Sequence, residues 1–319
     1  MPNLETQTYN PPLFFKQKHL NTIYPALFRR VKIKYQRERL ELSDGDFIDL
    51  DWSAVGRKKM VLMLHGLEGS SESNYIKGMI RVFNQNGYDG AVMNFRGCSG
   101  EPNRLLRTYH SGETEDVETV LQIILSKKKY QEIILVGFSL GGNVALKYIG
   151  ERGNKIDNRI KYGIGISVPC DLAASGREIK KPHNSIYLNR FLSSLKAKAK
   201  TKQAFADQID LNKIMQSKDF DDFDNAFTAP VHGFKDAEDY WAKCSSKQFL
   251  NQITIPTLLI NAKDDSFLSD TSYPYEEADT NRNFHFIAPK YGGHCGFTQF
   301  NSEGVYWSEE QAIDFVKSF

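Results

Sequence analysis

The residue best suited to covalent chemistry is Ser139, in Gly137-Phe138-Ser139-Leu140-Gly141. This is the G-x-S-x-G pattern of a nucleophile held on a tight turn between a strand and a helix. The setting agrees, because EIILVGF before the serine reads as a buried strand and residues 140–150 read as a helix. The glycines leave room for backbone that must pass close to the serine. Outside such a setting the same serine would merely cap a helix. A serine hydroxyl attacks poorly at neutral pH and needs a base. Of the seven histidines, His294 lies in YGGHCGF, a glycine-rich loop after the last expected strand and before the last helix. That is where the base falls when the chain order is serine, acid, histidine.

The acid is expected after the strand at 254–261 (TIPTLLIN), where Asp264 and Asp265 both qualify. Hydrolases with this turn commonly read P-x-x-x-x-x-G-x-x-D. Laid on Pro256, the pattern puts Ala262 at the glycine and Asp265 at the acid. Asp265 is favoured and Asp264 is the alternative, with the other carboxylate capping the following turn. The acid holds the imidazole in the right tautomer and stabilises its charged form. Attack on a carbonyl also creates an oxyanion that needs two N–H donors. The amide of Leu140, next to the nucleophile, is one. The amide of Leu67, in His65-Gly66-Leu67-Glu68-Gly69, is the other. His65 is expected to be structural, as is His285 inside a strand; His19 lies outside the core pattern.

These residues need a frame. Short apolar runs at 60–64, 90–95, 132–138 and 162–168 alternate with helical spacing at 73–86, 113–125 and 140–150. Strands alternating with helices imply βαβ units and a mostly parallel sheet. An antiparallel pair at 35–42 and 47–54 precedes them. Residues 1–30, with Pro2, Pro11, Pro12 and Pro25, show no clear period and are expected to form an arm over the body. The rhythm breaks over about 169–250, which contains His183 and His232 and reads as an inserted helical lid. It resumes with strands at 254–261 and 283–288 and a last helix from about 308. The expectation is one domain over 1–319.

Two further clusters are open to more than one reading. Arg96, Arg104, Arg107 and His110 follow a strand end and could meet an anionic group. Pairing of the arginines with Glu113, Glu115 or Asp116 is the expected alternative. The lysine run 196–202 could attract anions, but a solvated helix face is favoured. Phe220, Phe223, Phe227 and Phe234 could line an acyl pocket or simply pack the lid.

Composition narrows the class. The chain has 319 residues, 40% hydrophobic and 25% charged, with a net charge of only +2. That argues against nucleic-acid binding as the main function. Cys98, Cys170, Cys244 and Cys295 match no zinc or redox spacing, and acyl transfer through a serine calls for neither a metal nor an organic cofactor. The N-terminus lacks a signal-peptide pattern and no stretch suits a bilayer span, so a cytoplasmic protein is expected, with peripheral lipid contact left open.

Taken together, HLNTIYP, LHGLEGS, NFRGCSGEPNR, YHSGETEDV, VGFSLGGNV, DNAFTAPVHGF, INAKDDSF and GGHCGF resemble the YheT-like branch of the α/β-hydrolase superfamily over nearly the whole chain. The resemblance implies an α/β-hydrolase fold and a serine esterase or lipase acting on short-chain esters, acylglycerols or phospholipids. It places the nucleophile on Ser139, the acid on the Asp264–Asp265 pair and the base on His294. Family members often have Asp-Asp-Pro where this chain has Asp264-Asp265-Ser266. The rival expectations are an acyltransferase using the same three residues and a hydrolase-fold binding protein without turnover.

Overall fold

A computed structural model describes residues 9–319. Residues 1–8 of the expected arm lie outside that range. The strands are β1 (Gln36–Glu41), β2 (Phe47–Ser53), β3 (Lys59–Leu64), β4 (Asp89–Asn94), β5 (Glu132–Phe138), β6 (Ile160–Ile166), β7 (Thr257–Ile260) and β8 (Phe284–Ile287). They form one sheet in the order β1-β2-β4-β3-β5-β6-β7-β8. All neighbours from β4 through β8 run parallel, and β2 alone is reversed, pairing antiparallel with both β1 and β4. The mostly parallel sheet is what the strand–helix alternation implies, and the arrangement is that of the α/β-hydrolase fold implied by the resemblance.

The helices that flank the sheet are α1 (Lys18–Leu27), α2 (Asn74–Gln85), α3 (Thr114–Ser126) and α4 (Leu140–Arg152). Beyond β6 come α5 (Leu172–Ile179) and α6 (Ser185–Lys200), then several shorter turns of helix before β7. Successive strand residues point to opposite faces. Val61, Met63, Ile134, Val136, Ile164 and Ile166 therefore pack on α2 and the C-terminal helix Trp307–Lys317, through Ile76, Met79, Phe83, Ile313 and Phe315. Leu62, Leu64, Ile133 and Leu135 face the other way, against Val117, Leu121 and Ile124 of α3 and Val144 and Leu146 of α4. Both faces are covered, which is why these strands read as continuous apolar runs.

Two expectations need correction. The arm is not without period: residues 18–27 form α1, with Pro25 inside it. The lysine run is not a solvated face. Lys202 is 1% exposed and its ammonium donates to Asn103 O and Oδ1 (both 2.7 Å) and Leu105 O (2.6 Å). Lys198 bonds Glu68 at 2.6 Å, and Lys196 donates to Ser217 O at 2.6 Å. Lys198 and Lys202 pin the segment between β6 and β7 to the loops after β3 and β4, while Lys196 ties that segment to itself.

Candidate active site

Every candidate residue follows the C-terminal end of a parallel strand, the edge where open α/β sheets gather their ligands. Ser139 comes directly after β5 and opens α4. Its backbone has φ 53° and ψ −121°, a conformation that non-glycine residues seldom adopt. The turn holds because Ser139 N donates to Ile166 O at 2.8 Å and Asn143 N to Ser139 O at 3.0 Å. A Cβ on Gly137 would collide with the Gly141 backbone, and one on Gly141 with the Leu64 and His65 carbonyls. The G-x-S-x-G spacing is thus a steric requirement of the turn.

The structure brings three of the expected side chains into one hydrogen-bonded line. His294 Nε2 lies 2.9 Å from Ser139 Oγ, and His294 Nδ1 lies 2.8 Å from Asp265 Oδ2. A carboxylate can only accept, so Nδ1 carries the proton and Nε2 is left to accept from the serine. Asp265, with its side chain fully buried, also accepts from Phe267 N at 2.9 Å through its other oxygen. Burial alone would disfavour the charged imidazole. The Asp265 carboxylate outweighs it and raises the His294 pKa above the ordinary value.

Asp264 is placed differently. It accepts from Gly293 N at 2.9 Å, while its Oδ2 is buried without a partner. Burial pushes its carboxyl up to about 6, against the Gly293 hydrogen bond. It braces the histidine loop rather than the imidazole. That loop also leans on α1: His294 N donates to Thr22 Oγ1 at 2.9 Å, and a Cβ on Gly293 would strike Lys18 O. Cys295 N donates to Ser167 Oγ at 2.8 Å.

Leu67 sits on the turn after β3. The neighbouring amides are taken: Gly66 N by Tyr75 Oη (3.0 Å), Glu68 N by Tyr109 Oη (2.9 Å) and Gly69 N by Gly66 O (3.0 Å). Leu67 and Leu140 line the same cavity as Ser139 and His294. His65 is completely buried beneath them. It accepts from Phe95 N at Nε2 (3.1 Å), so its Nδ1–H donates to Gly66 O (2.8 Å). Burial holds it neutral, with its pKa down at about 4.

The cavity encloses roughly 850 Å³ with its open mouth. Its wall is mainly apolar: Leu195, Phe191, Phe220, Phe223, Trp241 and Phe267 among others. Of the four phenylalanines singled out in the sequence, Phe220 and Phe223 face it. Phe227 packs behind Phe223 (centroids 5.6 Å apart), and Phe234 lies against His110 and Tyr240. Asp224, not anticipated, also lines the cavity. It starts a π-helical turn, Asp224–Thr228, and accepts from Trp241 Nε1 at 2.8 Å and Thr228 Oγ1 at 2.6 Å. Burial pushes its carboxyl up to about 7.

The arginines turn to acids rather than to the cavity. Arg96 forks onto Asp116 with two 2.7 Å bonds and also meets Asp44 and Asp46. Arg104 pairs with Glu41 and Arg107 with Glu113 and Glu115. His110, Glu113 and His232 place one ligand atom each within 4.8 Å of one another. Gly112 N donates to His110 Nδ1 at 3.1 Å, which leaves the imidazole proton on Nε2, and both Glu113 oxygens already hold Arg107 at 2.8 Å. His110 and Glu113 are committed to these partners, and of the three only His232 keeps a ring nitrogen, Nε2, buried without one. No described helix is long and apolar enough to cross a membrane.

The chain is similar to known proteins. The family described as alpha/beta hydrolase fold matches residues 59–299. YheT of Escherichia coli (strain K12), provisionally named an esterase, is 39% identical over 316 residues, covering 96% of this chain and 92% of its own. The phospholipase ABHD3 of Bos taurus is 31% identical over 323 residues, covering 98% and 77%. Among solved structures, the esterase Pf2001 of Pyrococcus furiosus superposes with a TM-score of 0.60 at 18% identity, covering 98% of this chain and 99% of that one; this last likeness is one of fold.

Proposed function

Because the chain belongs to the α/β-hydrolase family, in the branch that includes YheT, we propose that it hydrolyses carboxylic esters through an acyl-enzyme on Ser139. The observation that carries this reading is the unbroken line from Asp265 through His294 to Ser139 at the wall of an apolar cavity. Ser139 Oγ attacks the ester carbonyl while His294 Nε2 takes its proton. Amides of Leu67 and Leu140 hold the oxyanion as it forms; loss of one such donor typically costs about 2.7–4 kcal/mol of barrier. His294 then gives the proton to the departing alcohol oxygen as the C–O bond breaks. In the second half His294 takes a proton from a water as it attacks the acyl carbon, and returns that proton to Ser139 Oγ as the acyl–Oγ bond breaks and the acid leaves. Neither half needs a cofactor.

The aromatic wall of Phe191, Phe220 and Phe223 suits an acyl chain, and the helical segment at about 169–250 serves as the lid over it. The similarity to a phospholipase supports lipid esters as the substrate class. The test is turnover of a water-soluble short-chain ester by wild type and Ser139→Ala. The variant should lose activity by about a thousandfold or more while its unfolding transition is unchanged. Retention of most activity would overturn the reading. An added alcohol that captures the acyl group in preference to water would convert it to acyl transfer.

A further inference from the structure

The described part of the N-terminal arm carries an apolar face that no described element covers. Leu20, Tyr24, Leu27 and Phe28 fall at i, i+4, i+7 and i+8, one stripe along α1 and its cap. Asn21 and Pro25, turned to the body, are buried, whereas Leu20, Leu27 and Phe28 are 49%, 54% and 64% exposed. Leu13 and Phe14, on the turn just before α1, are 76% and 77% exposed. Phe15 joins that turn to the stripe, its ring 4.9 Å from Tyr24 and 5.7 Å from Phe300, itself 62% exposed. The described residues expose ten large apolar side chains in all, and six of them are Leu13, Phe14, Leu20, Leu27, Phe28 and Phe300. Such a concentration marks an interaction surface.

Charge says what kind. The chain as a whole is nearly balanced, with 41 Lys and Arg against 39 Asp and Glu. Residues 9–35 nevertheless hold Lys16, Lys18, Arg29, Arg30, Lys32 and Lys34 and no acid. Arg29 is spent on Glu309, in a buried bidentate pair. Lys16, Arg30, Lys32 and Lys34 are exposed, and no ion pair engages them among the described residues. The acid nearest in sequence to Phe300 is Glu303. A second copy of this chain fits poorly, because a two-fold contact would set this basic face against itself.

We propose that this face docks on an anionic lipid bilayer. Leu13, Phe14, Leu27 and Phe28 enter the headgroup layer, and Lys16, Arg30, Lys32 and Lys34 meet the anionic headgroups. The surface adjoins the cavity. His19 of α1 stacks on Tyr187 of α6, Tyr187 packs on Phe267, and Phe267 lies on His294 with centroids 4.3 Å apart. Docking through α1 therefore presents the cavity wall to the lipid phase.

The test is co-sedimentation of the full chain with vesicles of pure phosphatidylcholine and of equal parts phosphatidylcholine and phosphatidylglycerol. The chain should bind the anionic vesicles, more weakly as salt is raised, and bind pure phosphatidylcholine at least about tenfold less well. Each basic residue at such a surface is worth about 1 kcal/mol, or about fivefold. Lys32→Glu with Lys34→Glu should therefore weaken binding by about 25-fold or more, and Leu27→Glu with Phe28→Glu should abolish it. Turnover of a soluble ester by these variants checks that they are folded. Ser139→Ala should bind vesicles like wild type, so this result stands or falls apart from the serine chemistry. No binding to anionic vesicles at low salt, or equal binding by all variants, would overturn the proposal. So would a solution dimer broken by Leu27→Glu with Phe28→Glu in a protein that ignores lipid.

Discussion

Replacing Asp265 by asparagine changes one oxygen to an NH2 group and leaves the volume nearly untouched. The structure shows what that does. Asp265 Oδ1 can go on accepting from Phe267 N (2.9 Å). The group 2.8 Å from His294 Nδ1 becomes a donor, so Nδ1 must turn from donor to acceptor. The imidazole proton then moves to Nε2 and points at Ser139 Oγ, 2.9 Å away, where it cannot take the serine proton. In a serine protease the same change of tautomer lowers kcat by about ten-thousandfold, and a loss of about that size is expected here. The pH profile moves as well. His294 is held above the ordinary histidine pKa by this carboxylate against the opposing effect of burial. Without the carboxylate the largest influence raising it is gone and burial opposes only the smaller contribution of Cys295, so the pKa falls and the acidic limb of kcat/KM shifts to lower pH. Asp264→Asn, which touches only the Gly293 amide, should change kcat by less than about tenfold. The assay is the pH dependence of short-chain ester turnover for the three proteins. If Asp264→Asn is the more damaging, or if the acidic limb of Asp265→Asn stays in place, the assignment of the acid is wrong.

Two other predictions concern the body of the protein. Lys202→Met keeps the aliphatic stem but strips the ammonium hydrogen bonds from Asn103 O, Asn103 Oδ1 and Leu105 O; Leu105 O keeps the Asn103 amide as donor, but loss of the donor to Asn103 O and Oδ1 should cost about 1–3 kcal/mol, read in denaturant unfolding, and a neutral result would return the lysine run to a solvated role. Asp224, with its carboxyl pushed up to about 7 by burial, binds a proton more tightly folded than unfolded. Its contribution to stability is therefore complete below about pH 4 and lost as pH rises to about 7. Asp224→Asn should flatten that part of the stability curve, and an unchanged slope would show that the carboxyl titrates normally.

How much of this the sequence disclosed follows from how local each constraint is. The turn at Ser139 needs glycine at two fixed positions beside the serine, Gly137 against the Gly141 backbone and Gly141 against the Leu64 and His65 carbonyls, so the five-residue pattern announces it. The His294 loop is nearly as legible, since Gly292 and Gly293 take positive φ values of 153° and 55° that other residues resist. The choice between Asp264 and Asp265 rested on a spacing rule, which fits the hydrogen bond to His294. What stayed hidden is tertiary. The pattern of α1 was obscured by Pro25 and by apolar residues on its outward side. A run of lysines looks solvated until Asn103 and Leu105 supply the acceptors for Lys202. The π-helical turn that aims Asp224 at the cavity has no composition signal, although Phe223 and Phe227 around it hinted at burial.

Ester cleavage by this chain requires Ser139 to be an activated nucleophile. The most direct measurement is treatment of the wild-type chain with a fluorophosphonate, followed by digestion and mass spectrometry of the adduct. One equivalent on the peptide carrying Ser139, lost in His294→Ala, is the predicted result. Labelling elsewhere, or none on a folded chain that still cleaves esters, would contradict it.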